Sequence, residues 1–300
     1  LMAWYWRLMP DCFKPPIINF VLRVMIGVLR AMPNFAMFGE TWVQGKTRII
    51  TFLQETLEKS DEEKVFDFLR MVVDATASHV CAYKAQKAFF DLLAGGHEVL
   101  KELIGYIHTS HEGIPVIVDC KVGDIDNTMA AYTHNLFVTL KADGIVVNPY
   151  MGDDVMLPLA EFTDKAIVVL VKTSNPSASI VQDVLLHNGW PLWRYVLDLA
   201  VNRWNNGNNL IPIIPATAEF DVAKVRSLIP DKMLILLAGI GAQGGSYKSL
   251  RVLLNSDGIG VFVNSSRGIL YPKSGKELRI AITESAMEIK NVLNQERSAS

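Results

Sequence analysis

Residues 115–124 read Pro-Val-Ile-Val-Asp-Cys-Lys-Val-Gly-Asp. Three β-branched residues, Val116, Ile117 and Val118, run without alternation into a charged end formed by Asp119 and Lys121. An unbroken apolar run is what a strand covered on both faces requires, and parallel strands are covered that way. Asp119 and Lys121 lie two apart, so on a strand their side chains share a face. The segment therefore reads as a buried parallel strand with opposite charges at its C-terminal end.

Outward from it the same unit recurs. Apolar runs begin near Ile49, His79, Gly144, Ala166, Leu210, Leu234 and Gly258. Stretches with helical apolar spacing fall between them at 62–77, 87–107, 127–140, 192–204 and 276–293. Eight strands about 30 residues apart predict an α/β fold, a single-domain (β/α)8 TIM barrel. A doubly wound open sheet is the runner-up. It seldom needs eight parallel strands, and it wants a glycine-rich turn after the first strand, which this sequence lacks.

Half of the 300 residues are apolar, and 29 basic against 31 acidic side chains leave a formal charge of −2. That is ample for a packed core and carries no polybasic signature, so nucleic acid is not an expected partner. Cys12, Cys81 and Cys120 are far apart and odd in number. They suit a reducing, cytoplasmic setting and exclude a disulfide scaffold or a multi-cysteine zinc cluster. No run reaches the roughly 18 apolar residues of a spanning helix. The first 45 residues nevertheless hold five of the eleven methionines and three of the six tryptophans, with Asp11 and Glu40 as their only acids. The expected organisation is an atypical N-terminal extension over 1–45 and a barrel over 46–300. Arg7, Lys14, Arg23 and Arg30 make the extension the one candidate for membrane contact. A helix packed on the body, or sequence outside the folded domain, is the plainer reading.

In such a barrel the chemistry sits at the C-terminal ends of the strands. The second strand ends at Lys84, and the third at Asp119-Cys120-Lys121 with Asp124 just beyond. The fourth gives Asn148-Pro149-Tyr150-Met151-Gly152 and the fifth Lys172-Thr173-Ser174-Asn175-Pro176. The seventh runs into Gly239-Ile240-Gly241-Ala242-Gln243-Gly244-Gly245, and the eighth into Asn264-Ser265-Ser266-Arg267-Gly268. Glycines let backbone N–H groups approach an anion and Arg267 adds a bidentate cation, so these last two loops read as a phosphate site. Lys84, Asp119, Lys121 and Asp124 alternate in charge and would be costly to desolvate unpaired. They read as a lysine held protonated by flanking carboxylates to act as a proton donor. A purely structural ion-pair network is the alternative. Residues 174–192 are long enough for a lid, or for an ordinary connection containing a short helix. His108 and His111 read as a surface pair. No metal, flavin or pyridoxal motif is present, and no cofactor is expected.

These motifs, taken in order, resemble those of the orotidine 5′-monophosphate decarboxylase family, particularly its bacterial-type (type 2) branch. They are AYKAQKAFF, DCKVGDIDNT, NPYMG, KTSNPSA, GIGAQGG and NSSRGILY, and the likeness runs from about residue 49 to Pro272. The Asp-x-Lys-x-x-Asp pattern alone is shared with sugar-phosphate decarboxylases, whereas the ordered set is specific. The resemblance implies cofactor-free decarboxylation of orotidine 5′-monophosphate to UMP in de novo pyrimidine biosynthesis, by a homodimer with shared active sites. It implies Lys121 as the acid that protonates C6, Asp119 beside the substrate carboxylate and Lys84 at the ribose. Asp124 and Thr128 would reach into the partner's site. Ser174 would bond the pyrimidine, Gln243 the base and phosphate together with Gly244 of the same loop, and Arg267 the phosphate. Where the family carries a ribose-binding aspartate this sequence has Gln54, or Glu55 in a shifted register. Ala85, Ser177, Pro215 and Ala238 also depart from the family pattern. A nucleotide-binding paralogue with impaired catalysis, or another phosphosugar lyase of the same superfamily, are the competing readings.

Overall fold

The computed structural model describes residues 58–217, 220–240, 245–272 and 274–299, together with the backbone of 20–24. Eight strands pair in chain order, all parallel, into a closed barrel. They are β1 (Phe20–Val24), β2 (Ala82–Gln86), β3 (Val116–Val122), β4 (Gly144–Val147), β5 (Ala166–Leu170), β6 (Leu210–Pro215), β7 (Ile235–Ala238) and β8 (Val261–Ser265). The longer helices are α1 (Asp61–Thr76), α2 (Gly96–Ser110), α3 (Asp126–Thr133), α4 (Asp153–Ala160), α5 (Leu192–Asn202), α6 (Val222–Arg226) and α7 (Leu278–Ser298). No helix among the described residues is long and apolar enough to cross a membrane.

Seven strands coincide with runs expected from the sequence. The first does not. Phe20–Val24 pairs with both β2 and β8, and it lies within the segment 1–45 that the sequence sets apart. Its Val21, Leu22 and Val24 are β-formers interrupted by Arg23, which disguises the run. The stretch from Ile49, expected to open the barrel, lies outside the described residues. Two expected helices are also divided. That over 87–107 breaks after Phe90 because the chain doubles back at Gly96, where a Cβ would lie 1.7 Å from the Phe90 carbonyl oxygen. That over 127–140 begins as α3 and continues as a π-helix, His134–Thr139. At eight and five residues, α4 and α6 are too brief to show a period in the sequence.

Alternation along the strands sends Ala82, Ile117, Val146, Val168, Leu236 and Phe262 to the axis, where they fill the barrel. The opposite faces carry Tyr83, Val118, Ile145, Val169 and Val263 into a larger apolar shell beneath the helices. One step further up the strands, the same alternation places Lys84, Asp119 and Asn264 above the apolar plug. Leu170 packs on that plug too, so Lys172 follows it inward. The polar layer of the mouth is thus a product of strand parity.

The opposite end of the barrel is stapled by carboxylates. Asp143, just before β4, accepts hydrogen bonds from the Val116 N–H at 2.7 Å and from His108 Nε2 at 2.8 Å. Asp74 on α1 accepts from Tyr106 at 2.6 Å and from His111 at 2.8 Å. Burial opposes its ionisation, but these bonds outweigh that and hold its carboxyl below the usual range. The two histidines are therefore partnered and partly buried rather than a free surface pair.

On the outer wall, Asp153 at the start of α4 takes both nitrogens of the Arg203 fork and the Trp204 indole N–H at 2.8 Å. The arginine and then the indole lower its pKa to about 2. Trp204 itself is fully buried. Trp204→Ala is expected to remove about 3–5 kcal/mol of unfolding free energy, read from urea denaturation. A loss below about 1 kcal/mol, the range of ordinary surface changes, would contradict this packing.

Candidate active site

The inward ends of β2 and β3 bring three charges together. Lys84 Nζ donates to Asp119 Oδ2 at 2.5 Å, and Lys121 Nζ donates to Oδ1 of the same carboxylate. One carboxylate thus bridges two ammonium groups. The two lysines are not equivalent: the side chains of Lys84 and Asp119 are 5% and 4% exposed, whereas that of Lys121 is 44% exposed. Burial opposes ionisation of Asp119, yet Lys84 and then Lys121 prevail and hold the carboxyl below its ordinary range. The geometry supplies a buried, fixed anion and a cation that faces the open mouth.

Local backbone strain aims that cation. The pairing of β3 with β4 slips between Val118 and Val122, and Lys121 has a φ of 49°. That left-handed conformation is uncommon outside glycine and costs about 1–3 kcal/mol. Two residues on, a Cβ at Gly123 would lie 2.3 Å from the Asn148 carbonyl oxygen. Asn148 in turn donates its N–H to the Val122 carbonyl at 2.8 Å. The ends of β3 and β4 cross at a distance that glycine alone permits, which pins the chain just beyond Lys121. Between the charges, the Cys120 thiol bonds the Val146 carbonyl at 3.4 Å and burial pushes its pKa up. It is poorly suited to nucleophilic work.

The other expected residues divide into three groups. Asp124 and Thr128 stand outside the charge cluster at the start of α3. Asp124 accepts from the Ile125 N–H at 2.9 Å, and Thr128 is exposed. Ser174 and Arg267 lie at the mouth, after β5 and β8, with Arg267 opening the helical turn Arg267–Leu270. Gln54, Gln243 and Gly244 lie outside the described residues. Both ends of the glycine-rich loop are nevertheless described. Gly239 has a φ of 88°, and the Gly245 N–H bonds the Gly239 carbonyl at 3.1 Å. A side chain at Gly245 would meet that carbonyl at 2.7 Å. The loop is therefore pinched at its base.

Two further residues of the strand-end motifs lie at the mouth. Lys172 is buried and donates to Asp183 Oδ1 at 2.6 Å. Asn264 has its Oδ1 shut from solvent with no hydrogen-bond partner among the described residues. Counting two residues on from the apolar Leu170 and Phe262 would have found both.

The family model described as "Orotidine 5'-phosphate decarboxylase / HUMPS family" matches residues 59–277. The orotidine 5′-phosphate decarboxylase of Cupriavidus metallidurans is 40% identical over 234 residues, covering 78% of this chain and 85% of its own length. That of Dechloromonas aromatica is 38% identical over 237 residues, covering 79% and 87%. Among solved structures, Leishmania donovani OMP decarboxylase superposes with a TM-score of 0.71 at 29% identity, over 84% of this chain and 99% of that one. Leishmania donovani UMP synthase gives 0.68 at 34% identity, over 77% of this chain and 50% of that one.

Asp119 offers a test with a defined sign. Its folded-state pKa is depressed, so the stability it contributes is present above the ordinary carboxylate pKa and lost as pH falls through the lowered value. Asp119→Asn is expected to cost about 3 kcal/mol at pH 7 by leaving two ammonium groups without their anion. The gap between wild type and variant should narrow below about pH 4. Urea melts of both proteins across pH 3–7 check this, and a gap independent of pH would sink it.

Proposed function

We propose a mechanism from one premise: the chain belongs to the orotidine 5′-phosphate decarboxylase / HUMPS family. It converts orotidine 5′-monophosphate to UMP, a step of pyrimidine biosynthesis. The observation that carries the mechanism is the one carboxylate shared by a buried and an exposed lysine. Lys84 balances Asp119 from below, which leaves the Lys121 ammonium directed at the substrate.

When the bond between C6 and the carboxylate breaks, carbon dioxide leaves and the electron pair stays on C6. An ammonium fixed beside C6 stabilises that pair in place before the bond breaks, which is the largest source of catalysis available to a site of this kind. Lys121 then gives its proton to C6, yielding UMP and a neutral amine that regains a proton from water. Asp119 has two tasks in this reading. It holds the Lys121 ammonium in place, and its charge lies against the carboxylate that must depart.

The phosphate is remote from the bond that breaks. Arg267, with Gln243 and Gly244 of the pinched loop, would bind it, and that binding energy offsets the cost of seating a substrate carboxylate near Asp119. Ser174 would bond the pyrimidine. Gln54 would meet the ribose through an amide that can donate and accept but carries no charge. A cytoplasmic setting goes with this reading, in keeping with the three widely separated cysteines of the sequence.

The site is completed by a second copy of the chain. Support comes from Asp124 and Thr128, which stand outside their own cluster, and from the large apolar side chains near them. Ile125, Tyr132, Tyr150 and Met151 are exposed, Tyr150 to 85%, as expected of a surface that a partner covers.

Decarboxylation is followed by the loss of substrate absorbance. Lys121→Ala is expected to lower kcat/KM about a thousandfold, and turnover equal to wild type would remove Lys121 from the mechanism. Binding of UMP without any turnover by the wild-type chain would favour an impaired paralogue. The shared site is tested by mixing two inactive variants, Lys121→Ala and Asp124→Ala. In a random hybrid population one intact site forms in each heterodimer, so about a quarter of wild-type activity should return. No recovery after subunit exchange would place Asp124 within its own site.

A further inference from the structure

The segment between β5 and α5 is held by polar contacts rather than by a core of its own. Of residues 174–190, Ala178 alone is buried, while Ile180, Val181, Val184 and Leu185 are exposed. Two short turns, Pro176–Ala178 and Ser179–Gln182, carry Gln182 and Asp183 back onto the end of the strand. Gln182 grips Thr173 twice. Its Oε1 accepts from the Thr173 N–H at 2.9 Å, and its Nε2 donates to Thr173 Oγ1 at 2.8 Å. That hydroxyl donates onward to Asn175 Oδ1 at 2.6 Å.

Beside this grip, Lys172 Nζ donates to Asp183 Oδ1 at 2.6 Å. The Lys172 backbone is itself tied to β6 through the Ile213 carbonyl at 3.1 Å. Its side chain is 9% exposed against 44% for Asp183. An ammonium at that depth needs a counter-charge, and the mouth already holds Lys84 and Lys121. Among the described residues Asp183 is the anion bonded to Lys172, and withdrawing it would leave that ammonium uncompensated. The ion pair therefore favours the folded-over position of the segment, and the amide grip sets the direction in which the chain leaves the strand. Ser174 is the next residue after the two that are gripped.

We propose that Gln182 and Asp183 are positioning residues. They clamp the 174–190 segment onto Lys172 and Thr173 so that Ser174 is presented to the pyrimidine. Lys172 is the anchor of this clamp and not a third cation for the substrate. The inference rests on the substrate reading given above, and its test separates the two.

Wild-type protein is compared with Asp183→Asn, Gln182→Ala, Lys172→Met, and Lys172→Met/Asp183→Asn. Without nucleotide, cleavage within 174–190 by a non-specific protease is expected to be about tenfold faster in Asp183→Asn, which loses one charge-assisted bond. With orotidine 5′-monophosphate, KM is expected to rise about tenfold while kcat stays within about threefold, because saturating substrate recovers closure. Asp183→Glu should restore most of the loss. The double variant should be no worse than the poorer single one, since both changes break the same pair. A change that merely loosened the fold would lower Tm and kcat at constant KM. Because Asp183 and Gln182 lie on the segment itself, their variants carry the test even if Lys172→Met fails to fold. Unchanged proteolysis and KM in Asp183→Asn, or additive losses in the double variant, would overturn the clamp. Wild-type protein that shows the protease pattern but turns over no substrate would keep the clamp and remove the substrate reading.

Discussion

Closing eight parallel strands into a ring sends every second side chain to one axis, and the character of this protein follows from how that axis is filled. Its lower part is packed with Ala82, Ile117, Val168 and Phe262, which exclude water. Immediately above, the same positions hold Lys84, Asp119 and Lys172, all buried. Charges seated on an apolar plug cannot be solvated from below, so each must be matched by a neighbour. Asp119 is matched by two lysines and Lys172 by an aspartate from the covering segment. Lys84, Asp119, Lys121, Lys172 and Asp183 are thus all paired, and of these Lys121 is a cation that keeps an open side.

That cation sits on strained backbone. A φ of 49° at Lys121 is unfavourable for a residue with a long side chain, and it survives because the chain on either side is over-determined. Asp119 holds the ammonium, and the crossing of Gly123 with Asn148 holds the backbone. Rigidity of this kind is what electrostatic catalysis asks for, since a dipole or charge that must move into place during the reaction loses much of its effect.

Most of this architecture was legible in the sequence because it rests on local patterns. Runs such as Val116-Ile117-Val118 declare a strand covered on both faces, and a charged residue at the end of such a run declares a mouth. What escaped was set by distant partners or by exact backbone crossings. Phe20–Val24 looks like part of a helix until β2 and β8 flank it. His108 and His111 look exposed because their carboxylates, Asp143 and Asp74, lie 35 and 37 residues away. The break before α2 depends on the lack of a side chain at Gly96, a condition that only the packed structure reveals. Lys172 was visible as a charge, but its partner became clear only once two short turns had folded Asp183 back. The roles of Gln54, Gln243 and Gly244 lie outside the described residues and stand on resemblance.

Asp143 has a further consequence. Through its backbone and its side chain it fastens the first residue of β3 to the foot of β4 and supports His108. The height at which β3 delivers Asp119 and Lys121 is thereby set at the end of the barrel furthest from the substrate. Frame and chemistry are consequently separable. Substitutions at the rim can accumulate without disturbing the frame. A change at the rim can thus alter the reaction while the barrel keeps its shape.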